Sequence, residues 1–123
     1  MEKTIVIDGK NVKFKATAAT LRIYRMKFQR DLMVDLAKLT MGLKANNNNF
    51  NIIDLEVFEN VAYVMAKQAE IKDVKVLVEL SLIDYYCWLS DYETQAFMDS
   101  EVIGKVIGLW AGNANDSHIE SKN

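Results

Sequence analysis

The sequence predicts an α+β fold, mainly α-helical, with an N-terminal β-hairpin packed on about four helices. Three observations carry this. The runs Thr4-Ile5-Val6-Ile7 and Lys10–Lys15 flank Asp8-Gly9, a hairpin signal because Gly takes positive φ freely. From Leu21 onward the apolar residues recur in steps of three and four, the helical period. Half of the 123 residues are hydrophobic, enough for one core.

In the second strand Val12 and Phe14 alternate with Lys13 and Lys15, so one face is to be buried and the other wet. A lone hairpin is marginally stable, and helices are what follow for it to pack on. Thr17 or Thr20 supplies the N-cap oxygen of the first helix. Leu21, Tyr24, Phe28, Leu32, Leu36, Leu39 and Leu43 form its face, and Lys27 and Asp31, four apart, pair weakly on its flank. A bend near Gln29-Arg30-Asp31 fits the pattern without being forced by it.

Asn46-Asn47-Asn48-Asn49 ends that helix, and residues 45–51 read as a flexible surface loop. Asn51 caps a second helix with Asp54 in its first turn. Ile53, Val57, Val61, Val64 and Met65 are its apolar face, and it runs to about Glu70. Residues 71–80 stay open. Val74, Val76 and Val78 alternate as in a strand, and a connecting helix fits equally. Ser81, with Asp84 three residues on, reads as the cap of a short aromatic helix carrying Leu82, Ile83, Tyr85, Tyr86, Trp88 and Leu89. A last helix covers Thr94 to Gly112, where Gly112 is a plausible stop. Residues 1–112 thus form one domain, and 113–123 a polar, disordered tail.

Composition narrows the function classes. There are 0 Pro and 5 Gly, too few for a loop-rich sandwich. One Cys excludes an intrachain disulfide framework and a multi-Cys zinc site, and one His excludes two-His metal motifs. No apolar run reaches the ~18 residues of a membrane span. No apolar signal-peptide core stands behind Met1-Glu2-Lys3-Thr4, so the expectation is a soluble intracellular domain with no membrane partner. The net charge of −2 hides an asymmetry: residues 1–50 balance at +6 and residues 51–123 at −8. Such polarity favours packing of the halves, head-to-tail self-association or a partner with a matching field, and it also arises on an ordinary solvated surface.

Chemistry-bearing constellations are scarce. Cys87, between Tyr86 and Trp88, reads as a buried structural thiol. His118 falls in the tail, away from any rigid element. Asp91 with Glu93, and Asp99 with Glu101, sit at helix ends, where acids serve capping. Gly104, Gly108 and Gly112 stand four apart and permit close helix packing. Arg22, Arg25, Lys27 and Arg30 are interrupted by Asp31 and Asp35, with no recognition motif around them, so nucleic acid is not an expected partner. The expectation is no enzyme, no catalytic residue, no metal and no cofactor.

One feature is sharper. Ile23, Met26, Met33 and Val34 fall roughly opposite the Leu21–Tyr24–Phe28–Leu32 face. The first helix is therefore apolar on two sides. It is either wrapped by the other helices or offers one side to a partner. Six Met suit an adaptable surface. Ile23, Met26, Arg30, Met33 and Val34 are the candidate partner or self-association surface.

The segment from Ile7-Asp8-Gly9-Lys10 through Val12-Lys13-Phe14-Lys15-Ala16-Thr17-Ala18 to Leu21-Arg22, Tyr24-Arg25, Phe28 and Arg30-Asp31-Leu32 resembles the tail assembly chaperones of long-tailed, siphovirus-type phages and prophages of Gram-positive bacteria. Phe58-Glu59-Asn60-Val61-Ala62-Tyr63-Val64-Met65-Ala66 and Ile107-Gly108-Leu109-Trp110 are similar to the same family, so the likeness spans residues 4 to 112. The resemblance implies a small, mostly helical, non-enzymatic protein of the bacterial host cytoplasm. It would coat the tape-measure protein before tail-tube subunits polymerise and be absent from the mature virion. It further implies homo-oligomers, and a longer form, made by programmed frameshift, that recruits the tail-tube protein. This chain would be the short form. The alternative class is a small helical phage adaptor or inhibitor domain that docks on a host protein.

Overall fold

The computed structural model describes residues 1–45 and 52–121. The expected loop around the Asn run and the Asn51 cap lie outside the described residues. An antiparallel hairpin, β1 (Glu2–Ile7) and β2 (Lys10–Lys15), opens the chain. Six α-helices follow among the described residues: α1 (Thr20–Phe28), α2 (Leu32–Ala45), α3 (Ile52–Glu70), α4 (Val74–Glu79), α5 (Leu82–Leu89) and α6 (Ser100–Ser121), with a 3₁₀ turn over Thr94–Met98 before the last. The α+β, mainly helical architecture is as the sequence predicts.

The hairpin turns on Asp8 and Gly9, both at positive φ (54° and 74°). That is a type I′ turn, whose twist matches that of the paired strands. Ile5 faces Val12 across the ladder, and Lys3 faces Phe14. Ile5, Ile7 and Phe14 are buried. They are covered because β2 packs on α3 and β1 packs on α6. The turn is tied down at its far end. Lys10 Nζ donates to the Asp91 carbonyl and stands 5.0 Å from the Tyr92 ring centroid, while the Glu93 N–H donates to Asp8 Oδ2 at 3.2 Å.

The first long helix of the sequence is two helices. α1 ends where Gln29 takes a left-handed conformation (φ 57°), its N–H donating to the Arg25 carbonyl at 2.8 Å. α2 restarts with Asp31, whose Oδ1 accepts from the Val34 N–H at 3.2 Å. The break corrects two details. Lys27 does not pair with Asp31: its ammonium donates to the carbonyls of Leu80 (2.8 Å) and Leu77 (3.3 Å), so it secures α4. Nor does either threonine cap α1, whose N-cap position is Ala19. Thr20 Oγ1 instead donates to Gln68 Oε1 (2.7 Å) and Gln68 Nε2 donates to Thr17 Oγ1 (2.6 Å), tying α1 to α3.

α3 is the central helix, in contact with β2, α1, α2, α4, α5 and the 3₁₀ turn. Phe58, Val61, Ala62, Tyr63, Val64 and Met65 are all buried on it, each large apolar one adding about 1.5–3 kcal/mol on burial. A run of aromatic rings joins the layers. Tyr63 stacks on Tyr85 (4.4 Å between centroids), Tyr85 meets Phe28 edge-on (5.8 Å), and Trp88 touches Tyr63 (5.7 Å) and Phe97 (5.6 Å). Residues 71–80, open in the sequence, contain helix α4, started by Asp73, whose carboxylate accepts from the Lys75 N–H at 2.9 Å. Ser81 caps α5 as expected, accepting from the Asp84 N–H at 3.1 Å.

The helix expected from Thr94 to Gly112 is divided. Asp99 is extended, and its Oδ1 accepts from the Glu101 N–H at 2.8 Å, so α6 starts afresh at Ser100. α6 also passes Gly112, where the sequence places its stop, and reaches Ser121. A lone helical Gly costs only about 1 kcal/mol and does not end a helix by itself. The segment expected as an unstructured tail therefore continues α6 as far as Ser121.

Candidate functional site

The five residues singled out by the sequence do not form one surface. Ile23 is only 1% exposed and belongs to the core. With α1 confined to nine residues, its inward stripe is Thr20, Ile23 and Tyr24, rotated from the stripe of one long helix. Met26, Met33 and Val34 are exposed. Met41, 71% exposed on α2, extends the exposed apolar set beyond them. Met41 follows Val34 by seven residues, two helical turns, and that spacing is the signal by which it could have been found.

Arg30 has a different task. It lies in the break, and its guanidinium forks onto Asp35, Nε to Oδ2 at 2.7 Å and Nη2 to Oδ1 at 2.8 Å. The Tyr24 hydroxyl donates to the same Oδ2 at 2.6 Å. Asp35 is 2% exposed. Burial works against its charge, but the hydrogen bonds from Arg30 and Tyr24 outweigh this and hold its carboxyl below the usual range. Burial and the same carboxylate push the Tyr24 hydroxyl well up, and Asp35 raises Arg30 further. This trio joins the end of α1 to the start of α2 and fixes the angle at which the methionines are shown. Beside it, Arg22, Arg25, Met26 and Gln29 line a shallow hollow of about 410 Å³.

Sequence reasoning missed a second surface. On α5, Leu82, Ile83 and Tyr86 are exposed while Tyr85 and Trp88 point into the core. Cys87 shares the outer side and is exposed, which corrects the expectation of a buried thiol. An eight-residue helix with apolar residues on every side and a single charge, Asp84, does not reveal from its own sequence which side faces the core. The core side is held by hydrogen bonds from the Tyr63 hydroxyl to Asp84 and from the Tyr85 hydroxyl to Asn60 Oδ1. Lys67 adds an ion pair to Asp84 at 3.6 Å. Tyr63 is raised by burial and by that hydrogen bond, and Glu59 is raised by burial and by the neighbouring Glu56.

A third feature is a cleft of about 390 Å³ between α2 and α6, lined by Thr40, Lys44, Ile103, Gly104, Ile107 and Gly108. Among the described residues no group of three His, Cys, Asp or Glu side chains is placed to hold a metal ion, and no helix is long and apolar enough to cross a membrane. The His118 side chain lies outside the described residues. The acids at helix ends act as the sequence suggests for Asp99, which caps α6.

No family model, curated protein or solved structure matches the chain.

Proposed function

We propose that the chain is a phage tail assembly chaperone, the short form of its kind. It binds the tape-measure protein in the host cytoplasm, keeps it available while the tail tube polymerises around it, and does not remain in the virion. It performs no catalysis and uses no cofactor. The tail-tube protein is reached through a longer frameshifted product. Two supports of different kinds meet here. One is the residue pattern over 4 to 112. The other, which carries the reading, is the exposed strip of Met26, Met33, Val34 and Met41. Unbranched thioether side chains re-pack against irregular apolar partners, and a chaperone for a long helical client needs such a strip repeated along it.

The test is co-expression with the tape-measure protein of the same phage, followed by light scattering of the soluble fraction. The expected result is a tape measure soluble only in the presence of this chain, in a complex of many copies, and lost when Met26 and Met33 are both changed to Asp. A tape measure that aggregates regardless, with this chain and its longer product both eluting alone, overturns the proposal and leaves the host-directed adaptor reading.

A further inference from the structure

β2 belongs to a two-stranded sheet, and its outer edge is open. Just beyond the strands Met1 and Ala16 exchange two hydrogen bonds of 2.9 Å. That fixes the alternation of the ladder. Lys10, Val12 and Phe14 bond to β1, while Asn11, Lys13 and Lys15 turn their N–H and C=O groups outward. Among the described residues nothing bonds to those outward groups. Asn11 and Lys13 also line a hollow of about 480 Å³. Its other wall is Ala66 and Ala69 of α3 with Trp88 and Tyr92, whose ring centroids lie 5.2 Å apart. A strand edge, a helix flank of small side chains and an aromatic pair thus bound one groove. The outer edge of β1 has no counterpart. The hollow beside it is reached by Met1 and Lys3, whose backbones are already paired with Ala16 and Phe14.

We propose that this groove takes an extended segment of another polypeptide, alternating acidic and apolar residues, as a third strand beside β2. The backbone of such a segment supplies the partners that the open edge lacks. Its side chains alternate between two surroundings. Those on the wet side meet Lys13 and Lys15. Across the ladder Lys15 faces Glu2, whereas Lys13 faces Thr4. Lys13 is exposed and forms no ion pair among the described residues. An acid beside Lys13 is therefore favoured. Side chains on the inner side meet the alanines and the two rings, which favour an apolar residue. Lys67 on that wall already pairs with Glu70 at 3.5 Å and Asp84 at 3.6 Å. Lys10, whose ammonium donates to the Asp91 carbonyl, and the Asp91 carboxylate offset each other. The inner wall thus holds no spare positive charge for an acid. Two β2 edges from separate copies would set lysine against lysine, which selects against that pairing. The groove shares no residue with the methionine strip of α1 and α2, so the contact stands or falls separately from the proposed function.

Two short blocked peptides test it, Glu-Val-Glu-Phe-Glu-Val and the same sequence with Lys for Glu. Each is titrated into the isotope-labelled full chain and followed by nuclear magnetic resonance and amide hydrogen exchange. The acidic peptide is expected to bind in preference to the basic one. It should protect the amides of Asn11, Lys13 and Lys15 and leave those of Glu2, Thr4 and Val6 exchanging as before. Lys13→Glu is expected to weaken the acidic peptide about fivefold and to favour the basic one, as an opposite-charge cross-strand pair becomes a like-charge pair. Lys13→Pro removes an outward N–H and none of the hairpin's own bonds, and is expected to abolish the protection. Thr4→Pro, the same change on the outer edge of β1, is expected to leave binding intact. An acidic peptide that fails to bind at millimolar concentration overturns the proposal. So does equal binding of the two peptides, protection of a different set of amides, or a loss from Thr4→Pro as complete as that from Lys13→Pro.

Discussion

The Arg30 guanidinium holds the buried Asp35 carboxylate through two hydrogen bonds, of 2.7 and 2.8 Å, across the break between α1 and α2. Asp35→Asn keeps the shape but loses the charge that Arg30 and Tyr24 bind. The expected loss in urea unfolding at neutral pH is about 2–3 kcal/mol, as for a buried charged hydrogen-bond acceptor. Because the folded carboxyl titrates below its unfolded value, Asp35 stabilises the fold above the unfolded pKa of about 3.9. That contribution fades as pH falls through the lower folded value. The gap between wild type and Asp35→Asn should therefore be widest at neutral pH and close in strong acid. A gap that stays constant with pH contradicts this account.

Gln29 adopts positive φ without being Gly. A side chain there costs roughly 1–2 kcal/mol against the right-handed alternative. Gln29→Gly removes that cost and forfeits only the exposed hydrogen bond from the Gln29 amide to the Met26 carbonyl. A gain of about 0.5–1 kcal/mol in denaturant unfolding is expected. A loss would mean that the amide hydrogen bond, and not the backbone angle, governs the break.

Two helical glycines should respond with opposite signs. A Cβ on Gly108 meets nothing within 4 Å, whereas one on Gly42 would lie 2.8 Å from Asp54 Oδ2. Gly108→Ala should raise the thermal midpoint, gaining up to about 1 kcal/mol of helix propensity. Gly42→Ala should lower it, since displacing a short, packed carboxylate costs about 1–3 kcal/mol and exceeds the same gain. Differential scanning calorimetry of the two variants compares them directly.

Cys87 is exposed. A maleimide or an aromatic disulfide reagent should label it fully in the native protein, without denaturant. Cys87→Ser should change stability by no more than about 0.5 kcal/mol, as for other surface positions. Labelling that requires unfolding would place the α5 outer face in a contact.

What was legible in the sequence follows what is local. The hairpin is readable because Asp8 and Gly9, directly between the paired Ile7 and Lys10, supply both positive φ values. Ser81 was readable because its cap partner is three residues away. The α1–α2 break was not forced by the pattern, because Phe28, Leu32 and Leu36 keep helical spacing straight across it. What makes the break is a tertiary trio, Arg30, Asp35 and Tyr24. The burial of Ile23 is hidden for the same reason, since one continuous helix would carry it on the outer side. The ion pair of Arg30 with Asp35 is not legible, because a sequence does not show which carboxylate a guanidinium will find. Residues 71–80 stayed open because their three alternating valines suit either period, and the Lys27 contacts to the Leu77 and Leu80 carbonyls, made from fifty residues away, are invisible locally.

The hairpin is made first and covered last. Its apolar side rests on α3 and α6, and its turn is fastened to Asp91 and Glu93. At a synthesis rate of about 5–20 residues per second, roughly 5–20 s separate translation of Ile5 from that of its partners on α6. Through that interval Ile5, Ile7 and Phe14 have only partial shelter, and the hairpin's outer strands have free edges. The nascent chain therefore shows the apolar side of its first strand to solvent until the last helix has been made. A chain cut short ahead of α6 would leave the β1 side of the hairpin without the helix that covers it.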